Sequence, residues 1–201
     1  MTAILKVDTI QDTSGNNIIN ESSDTITIGA SGDTTNIIGT LQNNGSALSL
    51  NPITMADHFR LTADLVGTND VISSNWERVD DESFAKIGTG MSVSSGYWSF
   101  PSTGLYEVTA TMNSTGASAD NHIIRIHVTT DNSNYDPVSN VVSASTDSQH
   151  EQASCFAFVN VTNTTNVKLF FEATSIGQGS IQGDTDVNYT CFKFIRLGDS
   201  Q

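Results

Sequence analysis

The run Ser99-Phe100-Pro101-Ser102-Thr103-Gly104-Leu105-Tyr106-Glu107-Val108 decides the fold. It ends an aromatic strand, turns between Pro101 and Gly104, and opens a new strand on Tyr106. From there Leu105, Glu107, Thr109 and Thr111 alternate with Tyr106, Val108, Ala110 and Met112. Successive strand residues point to opposite faces, so this pattern predicts a half-buried antiparallel strand.

The same period recurs on both sides. Strands are predicted at residues 58–65, 76–79, 84–87, 91–100, 105–112, 122–130, 138–145, 153–161, 167–174 and 187–197. In residues 122–130, Ile124, Ile126 and Val128 alternate with Ile123, Arg125 and His127. The segments between are rich in Asp, Asn, Ser and Gly, as turns require. No helical 3.6-residue period of useful length is present. Many short strands with turn-rich spacing predict an all-β fold, an antiparallel jelly-roll β-sandwich over residues 58–201.

Residues 1–50 have a different texture, with no aromatic residue and no histidine. β-branched clusters recur at Ile18-Ile19, Ile26-Thr27-Ile28 and Ile37-Ile38, each followed by a Gly-, Asn- or Asp-bearing turn. Such spacing predicts short strands on a coiling β path. One chain with so few large side chains cannot close a core. Three copies around an axis would stack the isoleucines at the centre and pair strand edges between chains. The expected organisation is an extended, triple-β-helix-like arm over residues 1–50, a linker at 51–57 and the sandwich at 58–201.

The chain of 201 residues carries 8 Lys+Arg against 22 Asp+Glu, a formal net charge of −14. A field of that sign repels nucleic acid and anionic lipid, so neither is an expected partner. No run of about 20 apolar residues is present, and no membrane insertion is expected. The opening residues lack the apolar core of a signal peptide. Cys155 and Cys191 each sit in an apolar strand pattern and are expected to be buried thiols.

Chemistry is sparse. His58, His122, His127 and His150 stand in no HExxH or HxH setting, and His122 and His127 face opposite sides of their strand. No GxSxG nucleophile turn, P-loop or dinucleotide fingerprint occurs. The protein is therefore expected not to be an enzyme, and to need no cofactor. Acidic loops offer oxygen ligands, and Asp184 and Asp186 are the candidates for a Ca²⁺ ion. Turn-forming Asx contacts are the competing explanation for those residues. Tyr135 is the loop aromatic best suited to stack on a sugar.

Residues 58–201 resemble the jelly-roll head of the complement and tumour-necrosis-factor-like superfamily. The likeness rests on Phe59, on Tyr97-Trp98-Ser99-Phe100-Pro101-Ser102-Thr103-Gly104-Leu105-Tyr106, on Val167-Lys168-Leu169-Phe170-Phe171 and on Cys191-Phe192-Lys193-Phe194-Ile195-Arg196-Leu197. It implies a homotrimer. A collagen-like stalk of Gly-x-y triplets is missing. In its place, Leu5-Lys6-Val7-Asp8-Thr9-Ile10-Gln11-Asp12, with residues 25–34 and 37–45, resembles the N-terminal part of tail-fibre and virion proteins of marine bacteriophages.

Together these imply a non-enzymatic trimeric virion structural protein, a tail fibre or spike or a capsid head decoration, assembled in the host bacterial cytoplasm. Other virion proteins would bind the arm, and a host-surface glycan is a further candidate partner. The alternative is a bacterial lectin-like glycan-binding module. Ile18, Ile28 and Ile38 in the arm, with Tyr97, Tyr106, Phe171 and Phe192 in the head, are the candidates for the trimer core or interface.

Overall fold

Strand alternation is what the backbone follows. The computed structural model describes residues 8–11, 13–15, 17–22, 25–29, 31–38, 41–43, 46–47, 53–80, 84–116, 121–144, 149–176 and 179–201. Among them there are strands, turns and bends but no helix. The chain divides into two compact units, Met1–Leu50 and Asn51–Gln201.

In the first unit, β1 (Thr9–Gln11), β2 (Asn17–Ser22) and β3 (Thr25–Ile28) form an antiparallel meander, and β4 (Gln42–Asn43) pairs with β5 (Ser46–Ala47). The register places Ile10 opposite Ile19 and Ile19 opposite Ile28, a cross-strand row at nine-residue spacing. All three are more than a third exposed, at 41%, 37% and 56%. The expected strand at Ile37-Ile38 is absent. Gly29 and Gly32, both at positive φ (+83° and +96°), turn the chain away from β3 before that segment.

The second unit is the sandwich, an all-β antiparallel jelly roll. Its strands are β6 (Ala56–Leu61), β7 (Asn69–Val71), β8 (Trp76–Arg78), β9 (Lys86–Ile87), β10 (Ser92–Ser94), β11 (Tyr97–Ser99), β12 (Gly104–Thr115), β13 (Asn121–Thr129), β14 (Asp136–Ser143), β15 (His150–Val161), β16 (Lys168–Ile176), β17 (Ser180–Ile181) and β18 (Cys191–Gly198). One sheet runs β15-β12-β18-β6-β8, with β17 on β12 and β9 on β6; the other runs β10-β11-β16-β13-β14, with β7 on β16.

The sheets pack through aromatic side chains. Trp98, Tyr106, Phe171, Phe192 and Phe194 are wholly buried. Removing such a side chain from water is worth about 1.5–3 kcal/mol. In β12 the inward set is Tyr106, Val108, Ala110 and Met112, the face that alternation predicts.

The expected strands at residues 91–100 and 187–197 differ. Residues 91–100 form a hairpin, not one strand, because Ser95 and Gly96 both take positive φ (51° and 85°) and supply the two-residue turn. Strand β18 starts at Cys191 and not at 187. Before it, the Asp184 carboxylate accepts the amides of Asp186 and Val187, and Arg60 Nη1 donates to the Asp186 carbonyl. The short β7 and β17, unmarked by alternation, are placed by their partners β16 and β12. Residues 51 and 52 of the expected linker lie outside the described residues.

Two buried polar contacts hold the frame. Tyr106 donates its hydroxyl to the Ser102 carbonyl at 2.9 Å, tying the turn to the strand it opens. The Asp57 carboxylate, wholly enclosed, accepts from Arg78 Nε (2.9 Å) and Nη2 (3.1 Å) and from the Met91 amide (2.6 Å). Arg78 also covers the Phe59 ring at 4.6 Å. Gly90 leaves the space, since a Cβ there would lie 2.5 Å from Asp57 Oδ2.

Tyr106→Phe is expected to cost about 1 kcal/mol in urea unfolding, the worth of one hydrogen bond. Asp57→Ala is expected to cost about 2–3 kcal/mol in the same assay, by stranding the Met91 amide and a guanidinium that keeps partial contact with water. Wild-type stability in either variant would contradict these roles.

Candidate interaction face

Strand β15 carries apolar residues on both sides. Cys155, Ala157, Val159 and Val161 face the core, while Phe156 and Phe158 point outward, 59% and 60% exposed. Their rings meet edge to face at 5.7 Å. On the neighbouring strand Glu107 lies opposite Phe158 and Thr109 opposite Phe156; beyond it Lys193 of β18 lies opposite Thr109. Lys193 Nζ and Glu107 Oε1 are 3.3 Å apart, and Thr109 Oγ1 donates to the same carboxylate oxygen. A shallow depression of about 400 Å³ opens between Phe156, Phe158, Glu107, Thr109, Ser154 and Lys193. Leu197, 46% exposed, extends the apolar surface along β18.

His58 of β6 continues this row opposite Lys193. Burial pushes its pKa down, and the charges of Lys193 and Arg60 push the same way against Asp57. Cys155 and Cys191 are both free thiols, and burial raises the pKa of each. That environment suits packing and not nucleophilic chemistry.

The other sheet carries an aromatic row on its outer face. Tyr97 lies opposite Phe170, and Phe170 opposite His127. The Phe170 and His127 rings stack at 4.4 Å, and Tyr135 from the β13–β14 loop closes on Phe170 (5.0 Å) and Tyr97 (5.6 Å). Beside the row, Glu172 pairs with Arg125 and lies 2.8 Å from His127 Nε2.

The residues singled out from sequence scatter over these environments. Tyr106, Phe171 and Phe192 are wholly buried inside one subunit, so they retain no surface for a second copy. Tyr97 is exposed on the aromatic row. Ile18, Ile28 and Ile38 are exposed in the arm unit. Asp184 is a turn former: one oxygen, Oδ1, takes two backbone amides, and these bonds lower its pKa. Among the described residues no group of three or more His, Cys, Asp or Glu is placed to hold a metal ion. His150 Nδ1 contacts Gln182 Oε1 at 2.8 Å, and His122 is buried in β13.

Phe156 and Phe158 were not singled out, yet residues 153–161 carry the signal. Both parities of that strand hold apolar residues, a pattern expected of strands covered on two sides.

Solved structures share this architecture. The crystal structure of murine APRIL at pH 8.5 superposes with a TM-score of 0.53 over 71% of this chain and 98% of its own, at 8% identity. Eiger TNF from S. frugiperda superposes with a TM-score of 0.52 over 75% of this chain and 96% of its own, at 16% identity. The sandwich is a tumour-necrosis-factor-like jelly roll. At such identities the likeness is one of fold. No family model matches the chain, and no curated protein matches it.

The jelly roll's stability should depend on His58. A histidine with a lowered folded-state pKa is neutral in the fold and takes up its proton first when unfolded. Its contribution is whole above the unfolded value of about 6.5 and is lost as pH falls below that, down to the folded value. Urea midpoints from pH 8 to pH 5 should fall less steeply for His58→Gln than for the wild type. Parallel profiles would refute this.

Proposed function

We propose that this chain is a non-enzymatic structural subunit of a bacteriophage virion, a homotrimer with an attaching arm and a projecting jelly-roll knob. The observation that carries the reading is the exposed Ile10–Ile19–Ile28 row, an apolar surface that one arm cannot bury. Ile37, 54% exposed, continues the nine-residue spacing. An arm of this kind gains its core from other copies or from the particle it joins.

The outer face of β15 gives the knob a reason to associate as well. Two adjacent exposed phenylalanines on a flat strand are costly to leave in water, and covering each fully is worth about 1.5–3 kcal/mol. Glu107 and Lys193, within the same face, supply a charge pair that sets orientation. The resemblance of the arm to phage tail-fibre proteins supports the virion assignment, and the acidic surface suits a soluble appendage. Host attachment is the role of the projecting knob in this reading.

Light scattering on the full chain is expected to give three times the 21.5 kDa of one subunit. Phe156→Ser with Phe158→Ser should raise the dissociation constant by about a hundredfold or more, with the monomer's circular dichroism unchanged. Antibody against the chain should label intact particles from the infected host, at the head or at the tail. A wild-type monomer would overturn the trimer, and label confined to free protein would overturn the virion role.

A further inference from the structure

We propose that Tyr97, Tyr135 and Phe170 form a binding platform for a neutral pyranose of a glycan, with Arg125, Glu172 and His127 as the polar edge that orients it. The platform needs only the folded sandwich, so it stands or falls independently of the trimer and of the virion assignment.

Four rings are gathered at one place on the solvent side of the sheet. Tyr97, Phe170 and His127 come from three adjacent strands in register, β11, β16 and β13. Tyr135 is brought over them by a loop that is itself fastened. Asp131 accepts the Ser133 amide (2.9 Å) and both the amide and side-chain nitrogens of Asn134 (2.8 and 2.6 Å). His127 stacks flat on Phe170, with 13° between the planes, and backs it from one side. Tyr97 stands nearly upright on Phe170, at 73°, and keeps 42% of its surface in water. A core would not leave so large a ring exposed, and a lone surface tyrosine would not be backed by two others.

The polar groups around the rings are held and unsaturated. Neither tyrosine hydroxyl has a hydrogen-bond partner among the described residues, so each is free to donate and accept. Burial keeps the Tyr135 hydroxyl protonated above its ordinary range. Glu172 lies two residues along β16 from Phe170, on the same face, and is fixed between Arg125 and His127. Arg125 also donates to Thr174 Oγ1 at 3.4 Å. Rigid rings beside oriented donors and acceptors match a pyranose, which has an apolar C–H face and a rim of hydroxyls.

Charge narrows the ligand. With a net charge of −14, and with Asp131, Asp136 and Glu172 near the rings, an acidic sugar would be repelled. The platform also lies on the sheet that does not carry Phe156 and Phe158. A subunit that associates through β15 therefore leaves it open to solvent.

Saturation-transfer NMR on the full chain, with maltotriose, mannotriose, chitotriose and lactose as probes, tests the proposal. At least one should receive magnetisation at its ring C–H protons. Tyr97→Ala with Tyr135→Ala should weaken that sugar about tenfold or more, while Tyr97→Phe with Tyr135→Phe, which keeps the rings, should weaken it only a few fold. No transfer to any probe, or equal affinity in the alanine pair, overturns the platform. So does a change of subunit number in the alanine pair, which would make the patch a contact between copies.

Discussion

The sandwich closes around the indole of Trp98. This side chain leaves β11 and meets Phe59 at 4.7 Å, Trp76 at 4.9 Å and Phe194 at 5.0 Å, all from the opposing sheet, and Phe171 of its own sheet at 6.0 Å. The contacts with Phe59, Trp76 and Phe171 are edge-on, an arrangement that lets rings of different strands interlock without sliding. With one parity of every long strand committed to that seam, the other parity is free to vary. Recognition and association therefore belong to the outward residues, and the two sheets have diverged in what they display.

One outer face is dominated by phenylalanines and a single charge pair, the other by tyrosines, a histidine and an ion-paired arginine. The difference is physical. Phe156 and Phe158 have no polar atom to satisfy, so any surface that covers them profits from the area alone. Glu107 and Lys193 would be enclosed with them, and an enclosed pair tolerates only a partner that leaves its contact intact. Tyr97 and Tyr135 keep a hydroxyl each, which suits a partner that is itself wet. The arm shows a third case, a row of isoleucines with no inward side of its own.

Much of this was legible in the residues. The alternation from Leu105 to Met112 shows which side chains enter the core, and the Pro101–Gly104 turn stands where the chain bends. The hairpin at Ser95-Gly96 was hidden, because Ser94 to Trp98 reads as a continuous strand unless both turn residues are granted positive φ. Tyr106, Phe171 and Phe192 were candidates for either core or interface; periodicity cannot say whether a buried ring meets its own chain or another. Phe156 and Phe158 were visible in a strand apolar on both sides, but the weight fell on the residues near Pro101. The aromatic row joins residues from positions 97, 127, 135 and 170, and only strand pairing brings them together.

Strand β18 has one more consequence. It follows both of its partners in sequence, yet it lies between them in the interior of its sheet, bonded to β12 on one side and β6 on the other. Arg196 on that strand donates to the Thr103 carbonyl and so fastens the central turn. Until these residues have emerged from the ribosome, β12 and β6 have no common neighbour and the seven-stranded sheet has a gap at its centre. Folding of the knob must therefore wait for Cys191–Gly198, and a nascent chain stalled short of Cys191 would be a client for chaperones.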